Sequence, residues 1–539
     1  MRNDKEFWVD YDVAIVGYGP VGALMANLLG ARGIRTLVLE KDTEIYKLPR
    51  AVGLDDEVMR ILQSADLEQA FTESSAPLLG MNLLKPNGRR LRRISTEDEP
   101  QNLGHPVLAL FHQPTFEKHL RAGVKRFETS VDVQLGATVT DVREVEDGID
   151  IDVSCDESGA PSTYRAQYLL GCDGGRSVVR KLFGIDHHDY GLHQPWVVID
   201  VLMNRPYESD GYADQICDPK RPGTFVPTAA PRKRWEFMLT PEDDHDEVLK
   251  PEWMAERIRP WAAPEDYEFE RAAVYTFHAI SATAWRTGND GKIFLMGDAA
   301  HQMPPFLGQG MCAGVRDAFN LAWKLDLVLR GVAPSGLLDT YQSEREAHVR
   351  EVIRTAVRVG ELIQSSNMVK TYFIHAAMML SEKLGLRIPL RAAKWLPLGE
   401  GFFSEKHAPK KASRVPFPQP TVRMADGSSG RLDDYLGPFF TLLSRPPCEG
   451  LENSYIQAFQ IVSEGESPDC ENSMVDLDGH VIRWMKENRC DAVLVRPDRQ
   501  AFGVYAGAAA VPSRILSDLA SQLPKLKVAI ETTSREQHV

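Results

Sequence analysis

Residues 12–40 read DVAIVGYGPVGALMANLLGARGIRTLVLE, and the order of elements in them decides the fold. Val13 to Val16 is an unbroken apolar run of the kind a parallel sheet buries on both faces, and Thr36 to Leu39 repeats it. Between them Gly17, Gly19 and Gly22 open an amphipathic helix that runs to about Arg32. Gly17 permits the tight turn, Gly19 lets a pyrophosphate approach the backbone, and Gly22 lets the helix pack on the strand. Glu40 closes the second strand eighteen residues after Gly22, where an acid can hold an adenosine ribose. Strand, turn, helix, strand and acid in this order predict a dinucleotide-binding βαβ unit, with the helix N-terminus turned to the phosphates.

Two later segments repeat the theme of a strand ending on glycine and acid. Tyr168 to Gly171 runs into Cys172-Asp173-Gly174-Gly175, and Ile293 to Met296 runs into Gly297-Asp298-Ala299-Ala300-His301. Parallel sheets place ligand groups at the carboxyl ends of their strands, so three such ends can converge on one extended cofactor. Residues 186–284 have another texture: Trp196 to Val201 and Arg234 to Leu239 alternate like antiparallel strands between proline-rich turns. They read as a substrate domain inserted into a discontinuous cofactor domain. The expected division is 9–185 and 285–412 for the cofactor domain, 186–284 for the insert and 413–539 for a small α/β tail, with 81–104 open to joining the insert. Residues 310–330 predict one helix, and 339–395 predict charged helices.

A net charge of −14 argues against nucleic acid or an anionic membrane as partner. Arg89, Arg90, Arg92 and Arg93 cluster locally, which suits a solvated loop and an anion site equally. The start, MRNDKEFWVDYD, lacks the apolar stretch of a signal peptide, and no apolar run approaches membrane-spanning length. Seven scattered cysteines without a CxxC fit a cytoplasmic protein and offer no metal site. No cysteine pair follows the nucleotide fold, which sets aside the disulfide-using flavoenzymes.

Together GYGPVG (17–22), DGGRSVVR (173–180) and GDAAHQMPPFLGQG (297–310) resemble the class A flavoprotein monooxygenases of the para-hydroxybenzoate hydroxylase type, in order and spacing, as far as LLDTYQSER (337–345). The stretches PRAVGLDDEVMRILQ (49–63) and VRPDRQ (495–500), with the C-terminal extension, are most similar to the 3-(3-hydroxyphenyl)propionate hydroxylase group; phenol and resorcinol hydroxylases are close in pattern. The resemblance implies an α/β chain: a glutathione-reductase-type FAD-binding domain, an inserted antiparallel substrate sheet, and a thioredoxin-like tail that is structural because it lacks a CxxC. It implies FAD, NADH or NADPH as co-substrate, a small aromatic substrate and O2, and it allows a homodimer. Gly17, Gly19, Pro20, Val21, Gly22, Glu40 and Lys41 would then hold the ADP half. Arg50 and Gln113 match positions at the ribityl or phosphate region, and Asp173 matches one that serves both FAD and NAD(P)H. Gly297 and Asp298 would hold the ribityl chain, and Pro305, Gly308, Gly310 and Met311 would lie beside the isoalloxazine ring. Cys312 stands where the family has asparagine, which leaves recognition there to backbone groups. The implied reaction is hydroxylation of a phenol ortho to its hydroxyl.

Several residues carry two readings. Arg234 and Glu236 alternate along one strand, so they either face a substrate cavity or form an exposed ion pair; Arg234 is also the candidate to grip a substrate carboxylate. Tyr275 and His278 either touch a phenol or pack in the core. Asp173 equally caps the helix that follows it, His301 reads as a structural hydrogen-bonder before a catalytic group, and Met303 and Phe306 either wall a pocket or fill the core. A flavin halogenase is the enzymatic alternative, although WxWxIP is absent. A prenyl-protein carrier of the GDP-dissociation-inhibitor type is the non-enzymatic one, opposed by Glu40, Asp173 and Asp298.

Overall fold

In the computed structural model the described residues are 10–46, 51–97, 99–155, 161–364, 367–386, 396–447, 455–467, 470–507 and 511–523. The first apolar run forms the strand Tyr11–Val16, which is flanked in parallel by Thr36–Glu40 and Pro161–Gly171. Val131–Leu135 and Ile293–Leu295 extend the parallel sheet on either side. Val16 pairs with Gly171 and Leu39, and Gly171 pairs with Leu295, so the carboxyl ends of the three glycine-acid strands are neighbours. The helices Pro20–Gly30 and Gly310–Leu329 pack here, and Val13, Ile15, Leu24, Leu28, Leu169 and Leu325 belong to one buried core.

The insert forms an eight-stranded sheet in the order His301–Gln302, Tyr267–Ala282, His187–Met203, Arg232–Met238, Gly223–Val226, Tyr212–Ile216, Gly80–Leu84, Arg90–Ser95. Alternation sorts its faces. Val197, Ile199, Trp235 and Phe237 bury against the helix Pro251–Ile258, while Trp196, Val198 and Glu236 point the other way, towards the cofactor domain. The last two strands of this order come from residues before the insert, and Gly80–Leu84 pairs with Tyr212–Ile216 in parallel. The basic stretch is therefore an edge strand rather than a loop: Leu84 pairs with Arg90 and Leu83 with Arg92.

The tail is a mixed seven-stranded sheet in which Ser473–Asp476, Ile456–Ser463 and Phe440–Ser444 run parallel, and Ala492–Val495 and Ala501–Tyr505 follow antiparallel. Its core is continuous with the cofactor domain, since Trp323 and Leu327 of Gly310–Leu329 pack with Phe440, Leu494 and Phe502. Charge fastens the same junction. Glu344 accepts from Arg496 (2.8 Å), Lys324 (3.0 Å) and Asn320 (2.7 Å), all buried, and Asp433 is gripped by Arg60 at 2.7 Å through two nitrogens. Burial raises the proton affinity of Glu344, but Arg496 and Lys324 outweigh it and hold the carboxyl well below the ordinary carboxylate range. Cys470 and Cys490 of the tail are free thiols. No helix among the described residues is long and apolar enough to cross a membrane.

Candidate active site

The glycine turn is built by close approach. Gly17 has φ +101°, and a Cβ there would lie 2.5 Å from the Cys172 carbonyl oxygen; a Cβ on Gly22 would lie 2.0 Å from the Gly17 oxygen. Gly19 differs: nothing stands within 4 Å of its absent side chain, and it borders a cavity of about 2410 Å³. No side chain caps the helix Pro20–Gly30, so its first-turn N–H groups are left for a ligand. Glu40 is oriented by the same turn, with Tyr18 N–H donating to one carboxylate oxygen (2.6 Å) and Asp42 N–H to the other (3.0 Å). Pro20, Val21 and Lys41 border the cavity beside them. Gln113 also lines it, accepting from Ala51 N–H at 2.9 Å and donating to Glu117 at 2.8 Å.

The second and third strand ends complete this wall. Asp173 accepts from the N–H groups of Val178 (2.6 Å) and Val179 (3.1 Å), as a cap does, while its other oxygen is buried on the cavity wall with no partner among the described residues. Gly297, Asp298, Pro305, Gly308, Gly310 and Met311 follow. Gly308 is left-handed (φ +64°) with open space where a side chain would sit, and no side chain caps the helix Gly310–Leu329 that starts beyond it. Gln309 between them is locked by Asp55 and Arg316, each at 3.0 Å, and Arg316 is itself paired with Asp55 at 2.6 Å.

The substrate sheet roofs the cavity with Trp196, Val198 and Phe277, and with the polar groups Gln215, Thr224, Glu236, Tyr275 and His278. Met303 and Phe306 face it from the cofactor side, Phe306 lying 6.2 Å from Trp196. Burial, together with Asp200, raises the proton affinity of Glu236 against the opposing pull of Arg234 and Arg271. Tyr275 hydroxyl accepts from Arg271. His278 shares a 2.7 Å Nδ1–Nδ1 hydrogen bond with His193, whose Nε2 meets Asp189 at 2.8 Å. Burial and His193 hold His278 below the ordinary histidine range.

Three expectations need correction. Arg234 does not line the cavity: it is 1% exposed, and its Nε and Nη2 bind Asp200 at 2.7 and 2.9 Å, the partner directly across in the strand register. Its pairing with Glu236, at 3.7 Å, is buried rather than exposed. Cys312 is likewise fully buried off the cavity, its thiol directed to the carbonyls of Gly308 (3.6 Å) and Gly53 (3.8 Å). Gly22 packs helix on strand as its spacing predicts and so lies off the wall, and Arg50 lies outside the described residues. His301 is the structural hydrogen-bonder that its turn suggests, bonded to Asp317 at 2.7 Å and stacked on Trp285. Gln215, Thr224 and Trp196 were missed as site residues, although their alternation along strands is a signal that places them on one face.

A flavin dinucleotide fits these walls. The open space at Gly19 and Gly308, the two uncapped helix N-termini and the unpartnered Asp173 oxygen are what its phosphates, ring and hydroxyls require. Gly19, Glu40, Asp173 and Asp298 would hold its chain, and Pro305 and Gly308 to Met311 its ring. Fold and site together define an FAD-dependent aromatic hydroxylase with a nicotinamide co-substrate. The family model described as FAD binding domain matches residues 10–356, and the chain belongs to that family. A second model, described as HcaD C-terminal domain, matches residues 415–521.

A probable NADH-specific resorcinol 4-hydroxylase of Rhodococcus jostii is 35% identical over 92% of both chains. A 3-(3-hydroxy-phenyl)propionate/3-hydroxycinnamic acid hydroxylase of Mycolicibacterium smegmatis is 36% identical over 80% of this chain and 76% of its own. Aklavinone-11 hydroxylase, solved with FAD and aklavinone, shares the fold with a TM-score of 0.77 at 23% identity, covering 97% of this chain and 100% of its own. Family membership together with hydroxylase relatives at 35% and 36% identity displaces the halogenase and carrier alternatives.

Proposed function

We propose that this chain hydroxylates a phenol at the carbon ortho to its hydroxyl, and that the phenol carries a short carboxylate chain, as in 3-(3-hydroxyphenyl)propionate or 3-hydroxycinnamate. The observation that carries the reading is a partly buried carboxylate of raised proton affinity, Glu236, set among Trp196, Val198 and Phe277 on the roof of the flavin cavity. FAD, when bound, takes a hydride from NAD(P)H and activates O2. The protein does the rest. The apolar wall holds the ring and excludes water, which would otherwise divert the activated oxygen. Glu236 Oε accepts the phenol proton, and the phenolate so formed pushes electron density onto its ortho carbon, where oxygen is to be delivered. The names of the Mycolicibacterium relative and its kin support the carboxylate-bearing substrate.

The Rhodococcus relative favours a second reading, resorcinol or another neutral phenol. A panel of phenols tests both: each is scored for stimulated NAD(P)H oxidation, with the product identified by mass spectrometry and NMR. A catechol from the propionate supports the first reading. Turnover of resorcinol alone favours the second, and hydroxylation meta or para to the phenol oxygen overturns the ortho assignment.

A further inference from the structure

Arg92 lies on the edge strand Arg90–Ser95 and shares the cavity wall with Ile94, two residues on, and with Leu83 of the neighbouring strand. It is 4% exposed. Its Nη1 donates to Ser381 Oγ and its Nη2 to the Leu386 carbonyl, both neutral acceptors, and its Nε is buried without a partner among the described residues. No acidic side chain pairs with it among the described residues. Glu382, next to Ser381, turns instead to the backbone N–H of Arg93 at 3.5 Å, and the following residues 387–395 contain no aspartate or glutamate.

Other buried guanidiniums are handled differently. Arg60 meets Asp433, Arg234 and Arg271 meet Asp200, Arg316 meets Asp55, and Arg496 meets Glu344, and none of these lines the cavity. Arg180 lacks a carboxylate but donates to the carbonyls of Ala299 and Gly175, away from the cavity wall. Arg121 also has an unpartnered Nε on the wall, but it lies over Tyr18 at the glycine turn, the nucleotide end. Burying a cation without an anion is unfavourable, so a guanidinium left this way on the substrate side of a cavity is matched to an anion that comes from outside the chain.

We propose that Arg92 is the anion-recognising residue of the substrate cavity, its fork binding the carboxylate of a phenol and so setting the preference for acidic over neutral phenols. The assignment rests on the aromatic-hydroxylase reading above and replaces Arg234 in that part. The planar guanidinium suits a carboxylate through paired N–H donors, and Ser381 and Leu386 fix its orientation before the substrate arrives.

The test compares 3-(3-hydroxyphenyl)propionate with its uncharged amide on FAD-loaded enzyme, in wild type, Arg92→Met and Arg92→Lys. Wild type should favour the acid in kcat/KM and in the dissociation constant read from the flavin absorbance change. Arg92→Met should lower the acid-to-amide ratio about 100-fold, and Arg92→Lys should restore part of it. Equal handling of acid and amide by the wild type overturns the inference without recourse to any variant. An Arg92→Met ratio that matches the wild type does the same, and in both cases turnover of phenols leaves the hydroxylase reading standing. If wild type hydroxylates neither compound, nor any other phenol of the panel, the functional reading falls and takes this inference with it.

Discussion

Replacing Glu236 by glutamine keeps the shape of the side chain and removes its capacity to take a proton. A phenol ionises near pH 10, so at pH 8 forming the phenolate costs about two pH units, or ~2.7 kcal/mol. If the ring reacts only as phenolate, that is a factor of about 100 in rate. Burial and Asp200 push the proton affinity of Glu236 up, while Arg234, 3.7 Å away, and Arg271 keep it ionisable. Glu236→Gln should therefore lose about 100-fold in hydroxylation at pH 8, and the deficit should shrink about tenfold per pH unit until it disappears near pH 10. Wild-type activity should fall as the pH drops through the raised Glu236 value, because a protonated carboxyl accepts nothing. Stability moves the opposite way. A carboxylate whose folded value is raised loses stabilisation as pH rises from its unfolded value, about 4.3, through the folded one, so at pH 8 the glutamine variant should melt higher than wild type. Catechol formation must be measured directly, since NAD(P)H consumption includes oxygen reduced without hydroxylation. A deficit that is constant from pH 7 to 10, or no deficit, refutes the role given to Glu236.

The purified protein should be yellow with non-covalent FAD, and Glu40→Lys should weaken that binding by about 1–3 kcal/mol, because it removes an acceptor held by Tyr18 and Asp42 N–H groups. Fluorescence titration checks it, and an unchanged dissociation constant removes Glu40 from the site. Arg496→Met should cost about 3–5 kcal/mol in urea unfolding, since it leaves the buried carboxylates of Glu344 and Asp498 with Lys324 alone to balance them; a loss below 1 kcal/mol contradicts the proposed fastening of tail to cofactor domain. Replacing Cys448, Cys470 and Cys490 together with serine should leave hydroxylation near wild type, and collapse of turnover in a folded triple variant would show dithiol chemistry in the tail.

Local pattern made the cofactor end of the molecule legible. The run Val13 to Val16, the Gly17 turn and Glu40 lie within thirty residues, and each reports its conformation through its own type and spacing. That Trp196 to Val201 and Arg234 to Leu239 form antiparallel strands was also readable from alternation, although that they pair with each other was not. The edge of that sheet was not. Gly80–Leu84 finds its parallel partner in Tyr212–Ile216, more than a hundred residues away, and only that pairing joins the local hairpin of Gly80–Leu84 and Arg90–Ser95 to the substrate sheet. Nothing in the composition of RRLRRIS records it.

The fate of each arginine illustrates the same limit at the site. Arg234 and Arg271 both stand opposite Asp200 in the register, so the carboxylate on the middle strand takes both guanidiniums before any substrate arrives. Arg92 lies on the edge strand, five strands from the one that carries Asp200. Its neighbour in register is Leu83, and a leucine offers no charge. Which arginine is spent and which is left for a ligand thus depends on the residue across the ladder, a contact that exists only after the strands have been ordered. Sequence spacing told apart cofactor strands because their chemistry resides in turns; it did not tell apart the two arginines because theirs resides in partners.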